Sequence, residues 1–560
     1  MNYLPVNGLR IFVVEGSTLF ASFLLLWLAM RFFPTSTKSS MWLSWLLASD
    51  SRGVILVVAA ALLARGLLLP FVGIPEPRIN DEYSYLLMAD TFAHHRLTNP
   101  TPAAWQHFET FHVNMQPTYH SKYPVAQGLV LAAGRMMFHQ PWVGVYLSTA
   151  LLCGAICWTL QAFVTPGWAL IGGLMAVVRI ALFSFWTNSY FGVSVAALGG
   201  ALALGTVVRL FHPDISRRSR VFLACGFSAG LMILATSRPY EGLAFSIPLF
   251  AYFIYHLIKQ RKQIQFVRDS LVPVFLIGTM GVVAMGYYNH ATTGDTLLQP
   301  YPLNYRLYWP LPLFLGQKDN RQIAPADPAF AKYFETIKNE YEFEKTKTLP
   351  GVLSLESRRF WEDWFFYVGP ALTLPLLVGI LSCAIQPRLR IVVLAATSTA
   401  IALALYIYSM THYAAVATIA VFVFTVEGLR YLWDQQQRGE RAVVIAVLIT
   451  VLLASVTKQT GITNMNTAFH FQNQRRLIAE QLQGKPGQHL VLVSYDFDHH
   501  YPGNELIHNG ADFRSEKILW ARSKGRETDL DLCRAYPDRS FWSVTTDDIH
   551  FSLNAIDLCR

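Results

Sequence analysis

Charge is what this chain has least of. Of its 560 residues only 14% are Asp, Glu, Lys or Arg, while 53% are hydrophobic; a soluble domain carries about a quarter charged residues. The deficit is concentrated in long stretches without any charge, which excludes an ordinary water-soluble protein. Cysteine is also scarce, with six in all, too few for a disulfide-built scaffold. Cys153, Cys157, Cys225 and Cys383 lie in apolar segments and read as packing residues. Cys153 and Cys157 share a helix face but lack the surrounding ligands of a metal site. The N-terminal apolar stretch has neither a basic leader nor a small-residue cleavage site, so it is expected to be a retained span. No glycine-rich phosphate loop or soluble nucleotide-binding unit is recognisable.

What the chain does have is apolar runs. Twelve segments read as spans: 11–33, 53–73, 142–163, 168–186, 190–210, 221–236, 243–258, 270–289, 364–385, 391–409, 412–432 and 442–457. These predict an α-helical polytopic membrane protein with about 12 transmembrane helices. The break at Trp186-Thr187-Asn188-Ser189-Tyr190 predicts a tight helical hairpin. The net charge of +9 reads as basic cytoplasmic loops, not as affinity for nucleic acid. Arg217, Arg218 and Arg220, then Lys259, Arg261, Lys262 and Arg268, then Arg388 and Arg390, then Arg438 and Arg441 occupy alternate short connections. They fall on one side with Lys38 and Arg52, and an excess of positive charge makes that side cytoplasmic. The outer side receives two long loops, 74–141 and 290–363, the N-terminus and the tail. Glu15, Arg65 and Arg179 lie within spans and are expected to pair in the bundle interior or to snorkel.

The division is therefore a transmembrane unit, 1–457, and an extracytoplasmic α/β domain, 458–560. In the latter we expect a helix at 466–483, a strand at 489–495, a helix at 525–536 and a strand at 540–544. Cys533 and Cys559, on the oxidising side, are expected to form a disulfide.

The chemistry is concentrated in the first outer loop. Ile79 to Phe92 predicts an amphipathic helix along the membrane surface, with Leu86, Ala89 and Phe92 on one face. Asp81 and Glu82 stand at its start. Judged by residue type alone, Asn80 or Asp81 is a helix cap and Glu82 a partner of the helix dipole. A carboxylate fixed in that place also suits acid–base work. Downstream come Trp105, Phe108, Glu109, Phe111 and His112, then Gln116-Pro117-Thr118-Tyr119-His120-Ser121-Lys122-Tyr123-Pro124. Aromatic residues suit a membrane interface and also stack on sugar rings. Lys122 reads as an interfacial anchor or as a phosphate partner.

Asp-Glu at the head of a surface helix in the first outer loop, a Lys122-Tyr123-Pro124 segment, and many spans after it together resemble the GT-C class of integral-membrane glycosyltransferases. The protein mannosyltransferases and the lipid A aminoarabinose transferases belong to that class. The resemblance is best over about residues 60–310, with an echo at 360–430. Lys122-Tyr123-Pro124 is similar to the Lys-Pro-Pro element of part of the class, and Val125 departs from it.

The resemblance implies a GT-C-like fold and a polyprenyl-phosphate-linked monosaccharide as donor, used on the outer face of a bacterial inner membrane. It implies Asp81 as general base, with Glu82 as a second base or an orienting residue, and a one-step, inverting transfer. Lys122, Tyr123, Arg238 and His412 are the candidates for the donor phosphate and sugar. For Arg238 an ion pair with Glu241 is the equal alternative. Asn188, Tyr190, Tyr301 and Arg306 are candidates for the acceptor cavity. No cofactor is demanded, and a divalent metal near Asp81 is left open. Asp496-Phe497-Asp498-His499-His500 reads as a solvated turn and not as a zinc site. The partners implied are the lipid-linked donor, membrane lipid, and a cell-surface glycan, lipid or protein acceptor, with no nucleic acid. The main alternative is a transporter or flippase of a lipid-linked saccharide; a glycan polymerase or ligase and a membrane scaffold are further ones. The absence of a visible internal repeat and the placing of the polar chemistry in outer loops favour the enzyme.

Overall fold

The computed structural model describes residues 4–32, 50–317, 328–340, 342–435, 438–468, 470–496, 505–547 and 550–559. Lys38 and the Phe497–His500 part of the acidic-histidine turn lie outside the described residues, as does part of the second outer loop. The helices begin with α1 (Leu4–Phe32), α2 (Asp50–Val72), α3 (Asn80–Ala93), α4 (Val125–Phe138), α5 (Trp142–Leu160) and α6 (Pro166–Ala176). They continue with α7 (Val193–Leu210), α8 (Arg217–Ser237), α9 (Pro239–Lys259), α10 (Ile264–Thr293), α11 (Pro300–Tyr308) and α12 (Pro328–Glu340). Next come α13 (Leu349–Asp363), α14 (Gly369–Ile385), α15 (Arg390–Leu405), α16 (Thr418–Asp434), α17 (Arg438–Ala468), α18 (His470–Gln483) and α19 (Arg526–Ala535).

Helices occupy all twelve segments read as spans. Among the described residues, eight helical stretches are long and apolar enough to cross a bilayer, and Val13–Leu28, Pro166–Leu182 and Arg390–Leu405 are shorter apolar helices. The chain is a multi-pass membrane protein. One apolar helix, α4, falls inside the segment read as an outer loop.

Small residues set how closely the bundle packs. A side chain at Gly379 in α14 would come within 1.7 Å of the Phe424 carbonyl, and one at Gly428 in α16 within 1.8 Å of the Pro375 carbonyl. The two backbones therefore touch where neither residue has a Cβ, as membrane helix pairs commonly do. The break expected near residue 188 is present, with α6 running into a π-helical turn, Val177–Leu182, before α7 begins, but the two helices do not form a tight hairpin: each packs on α5 and not on the other. Arg65 is fully buried and donates to the Asn188 side chain (3.0 Å) and the Gly73 carbonyl. Arg179 donates to the Phe366 carbonyl at 3.0 Å. Both arginines thus find a hydrogen-bond partner inside the bundle, and Arg65, whose Nε and Nη1 have none, also lies over the Trp142 ring at 5.1 Å. At one end Arg217 and Arg268 both reach Asp269, at 2.8 and 3.7 Å, so two of the basic connections meet there.

At the other end the first long loop and the tail fold together. The tail forms a four-stranded sheet of β3 (Gln488–Tyr495), β4 (Ile518–Arg522), β5 (Arg539–Thr546) and β6 (Phe551–Ala555), in the order β4-β3-β5-β6. β3 pairs in parallel with β4 and β5, and β6 runs antiparallel to β5. Cys533 and Cys559 are disulfide-bonded, while Cys153, Cys157, Cys225 and Cys383 are free. The sheet does not stand apart from the membrane unit. Leu87, Phe108, Val113 and Tyr119 of the first loop share one apolar cluster with Leu490, Leu519, Leu532 and Phe541. Asp90 accepts the Ala511 N–H at 2.6 Å, and the Tyr119 hydroxyl donates to the Asn509 carbonyl at 2.9 Å.

Candidate active site

The start of α3 departs from the expected cap. The capping position is Ile79, which offers no side-chain hydrogen bond. Glu82 does the capping: its Oε2 accepts the N–H groups of Arg78 (2.7 Å) and Ile79 (3.3 Å), and its Oε1 accepts the Tyr190 N–H at 2.9 Å. Burial pushes the Glu82 carboxyl up to about 7, against the pull of those N–H groups. This carboxylate ties the entry to α3 to the loop before α7. Glu82→Gln removes acceptor capacity and leaves buried N–H groups short of a partner. It is expected to cost about 1–3 kcal/mol of stability, read as a lower unfolding temperature.

Asp81 is released from capping and faces inward. Its side chain is 26% exposed, so it is reachable. The Tyr123 hydroxyl donates to Oδ1, and His112 Nε2 lies 3.5 Å from Oδ2. A small hairpin places both neighbours. β1 (Val113–Asn114) pairs antiparallel with β2 (His120–Ser121), and Ser84 of α3 bonds the His112 carbonyl and the Ser121 hydroxyl, each at 2.7 Å. One turn of α3 thus fixes both ends of the hairpin beside Asp81. His112 is held at a φ of 66°, a left-handed value uncommon outside glycine.

Burial works against ionising Asp81. The His112 and Lys122 side chains and the Tyr123 hydrogen bond outweigh it, and the carboxyl sits below its usual value. Burial pulls His112 down to about 3, with Lys122 adding to the effect, so the imidazole is neutral at pH 7. Lys122 is brought down to about 8 by burial, partly offset by Asp81, and stays mostly protonated at neutral pH. The site therefore holds one carboxylate and one ammonium in electrostatic range of each other. Lys122 forms no ion pair within 4 Å among the described residues. Its ammonium lies instead over the rings of Tyr301 (5.0 Å), Tyr123 (5.2 Å) and Trp309 (5.8 Å).

The long segment 290–363 supplies Tyr301 and Trp309 of that wall. Asn114 donates to the Pro300 carbonyl (3.0 Å) and accepts from Asn304 (2.9 Å), which holds α11 against the hairpin. A further side is made by the ends of spans. Arg238, between α8 and α9, stacks on Tyr413 at 4.3 Å, and Tyr85 of α3 stacks on Tyr123 at 4.5 Å. His412 packs between Phe191 and Tyr413, 5.1 and 4.7 Å away, within electrostatic range of Asp81.

Of the residues singled out in the sequence, Asp81, Lys122, Tyr123, Arg238, Tyr301 and His412 come together, with Glu82 behind them. The others do not join them. Asn188 is occupied by Arg65 and the Ser184 carbonyl. The Tyr190 hydroxyl holds the Pro75 carbonyl, so Tyr190 braces the loop into α3. Arg306 is exposed on α11. Sequence reasoning passed over His112, Tyr85, Tyr413 and Trp309; the only signal for them was the aromatic and His content of the loops. Among the described residues no three His, Cys, Asp or Glu side chains are grouped to hold a metal ion.

No protein-family model matches the chain, and no curated protein does. Solved structures do. ArnT from Cupriavidus metallidurans, bound to undecaprenyl phosphate, superposes with a TM-score of 0.54 at 12% identity, over 89% of this chain and 94% of its own. ArnT in the apo state superposes equally well. The chain has the GT-C fold. The Archaeoglobus fulgidus oligosaccharyltransferase, in complex with zinc and sulfate, is similar at a TM-score of 0.48 and 12% identity, over 88% of this chain and 67% of its own. Within this fold, the Asp81 cluster lies where the loops 74–141 and 290–363 and the ends of several helices meet.

Proposed function

We propose that the protein is a glycosyltransferase. It moves a monosaccharide from a polyprenyl-phosphate donor to an acceptor hydroxyl at the outer face of a bacterial cytoplasmic membrane. The observation that carries this reading is the Asp81 cluster: a reachable, ionised carboxylate at the head of α3, with a lysine and an arginine close by. Helix α3 itself is not the surface helix the sequence predicts: none of its residues is exposed, and it is covered by the hairpin and the C-terminal sheet. The bound undecaprenyl phosphate of ArnT supports a lipid phosphate as the leaving group.

The chemistry assigns each group a task. The acceptor oxygen attacks the anomeric carbon while its proton passes to Asp81, which Tyr123 and His112 hold in orientation. The bond from the anomeric carbon to the phosphate oxygen breaks, and polyprenyl phosphate leaves with the electron pair. Lys122 and Arg238 stabilise the charge gathering on that phosphate. A single displacement inverts the anomeric centre. Tyr301 lies under the lysine and His412 within electrostatic range of the carboxylate, and both are assigned to the donor side of the site. The acceptor is a cell-surface glycan, lipid or protein. The test is an assay of purified protein with a panel of polyprenyl-phosphate monosaccharides, with Asp81→Asn as the control. Full activity in that variant would end the assignment.

A further inference from the structure

A patch of unbalanced positive charge lies at the end of the bundle away from the Asp81 cluster. Helices α8 and α9 meet at Arg238, beside that cluster, and each is 21 residues long. At 1.5 Å per residue each runs about 30 Å, the thickness of a bilayer's hydrocarbon core. Their far ends, Arg217 and Lys259, therefore stand at the headgroups of the opposite leaflet. Helix length alone sets that level, whichever side is cytoplasmic.

The charges there do not balance. The connection into α8 brings Arg217, Arg218 and Arg220, and the connection between α9 and α10 brings Lys259, Arg261, Lys262 and Arg268. Against them stand two carboxylates, Asp214 and Asp269. Asp269 is shared: Arg217 donates to it at 2.8 Å, Arg268 lies 3.7 Å away, and Arg220 is in electrostatic range. Asp214 reaches only His212, at 3.9 Å. Arg218, Lys259, Arg261 and Lys262 are exposed and have no ion pair within 4 Å among the described residues. The Arg220 guanidinium lies 4.0 Å from the Phe266 ring centroid, and its buried Nε has no hydrogen-bond partner among them.

The two connections form one braced surface. Besides sharing Asp269, they are joined through Phe211 at the end of α7, which stacks on His256 of α9 at 4.8 Å and lies 6.0 Å from Phe266 of α10. Both α8 and α10 start here without an acidic residue in the first turn, so the positive ends of two helix dipoles add to the field. Beside the cations lie exposed apolar side chains: Phe222, with the Arg218 guanidinium 5.8 Å from its ring, Ile258 next to Lys259, and Ile264 at the start of α10. Cations without partners next to apolar surface match a molecule with an anionic head and hydrocarbon tails. A zwitterionic headgroup brings its own cation and gains less there.

We propose that this patch binds an anionic phospholipid of the leaflet opposite the Asp81 cluster. Arg218, Arg261 and Lys262 hold its headgroup, and Phe222, Ile258 and Ile264 lie along its acyl chains. Such binding needs only a chain that crosses a membrane and does not depend on sugar transfer.

The test titrates the full-length protein in detergent with phosphatidylglycerol, or with phosphatidylcholine of the same acyl chains, and counts bound lipid by native mass spectrometry. Phosphatidylglycerol is expected to bind tenfold or more tighter. The triple variant Arg218→Gln, Arg261→Gln, Lys262→Gln is expected to remove that preference, at unchanged unfolding temperature in detergent alone. Arg218→Lys with Arg261→Lys keeps the charges and is expected to keep the preference. Arg388→Gln with Arg390→Gln, in another basic connection, is expected to keep it too. Equal binding of the two lipids by the wild type, or an undiminished preference in the triple variant, overturns the proposal. An equal loss in the Arg388 and Arg390 variant makes the attraction a property of the whole face and overturns it as well. Displacement of the lipid by inorganic phosphate, but not by sodium chloride at the same ionic strength, makes the patch a site for a free ion and also overturns it.

Discussion

Asp81→Asn is expected to slow sugar transfer by about a hundred- to ten-thousand-fold, with the protein still folded and inserted. Asn has the shape of Asp and still accepts the Tyr123 hydroxyl, so the hairpin and α3 keep their contacts. It lacks the charge that receives a proton. The helix start does not suffer either, because Glu82 and not Asp81 satisfies the first N–H groups. The loss should therefore fall on kcat and leave KM for the donor nearly unchanged. A matching rise in KM, or a drop in unfolding temperature, would make Asp81 a structural residue.

Lys122 carries the second large effect. Lys122→Met is expected to reduce kcat/KM by about a hundred- to a thousand-fold, the scale of losing one charge-stabilising donor. The pH dependence gives a sharper reading. Burial has lowered this lysine from the ordinary value of about 10.4 to about 8. The ammonium is thus present below pH 8 and lost as the pH rises through it. Activity should fall on the alkaline side with a midpoint near 8. Lys122→Arg keeps its charge at every accessible pH, so the alkaline fall should vanish even if the rate at neutral pH is lower. An unchanged alkaline limb in Lys122→Arg would remove Lys122 from the chemistry. On the acid side Asp81 and His112 titrate well below neutrality, so any transition near 7 belongs to Glu82 at the start of α3.

The helical bundle was legible because a bilayer leaves so little choice: an apolar run of the right length becomes a helix, and eight helical stretches among the described residues are long and apolar enough to cross, while the apolar helix α4 was missed. The tail was legible where periodicity was strong, at His489–Tyr495 and around Ser540–Val544. It was missed at Ile518–Arg522, five buried residues without alternation, and at the partly exposed edge strand Phe551–Ala555. At the site, Asp81 and Lys122 were visible through the order of motifs along the loop. The division of labour between Asp81 and Glu82 was not. It depends on the Tyr190 N–H, more than a hundred residues away, arriving within 2.9 Å of Glu82. The bond from Arg65 to Asn188 was illegible for the same kind of reason: the two lie in different segments, and no local pattern announces the pair. His112 carries no local signature, because its place is set by Ser84 holding its carbonyl.

The apolar cluster shared by the first outer loop and the tail has a bearing on how the molecule is born. Leu87, Phe108 and Tyr119 leave the ribosome long before Leu490, Leu519 and Phe541, and chains assemble broadly from the N-terminus during synthesis. The loop that bears Asp81 thus waits, only half covered, until the last strands have been made. The surroundings of Asp81 are completed only with the chain, and a ribosome that stalls before the tail releases a bundle of helices with an unfinished loop.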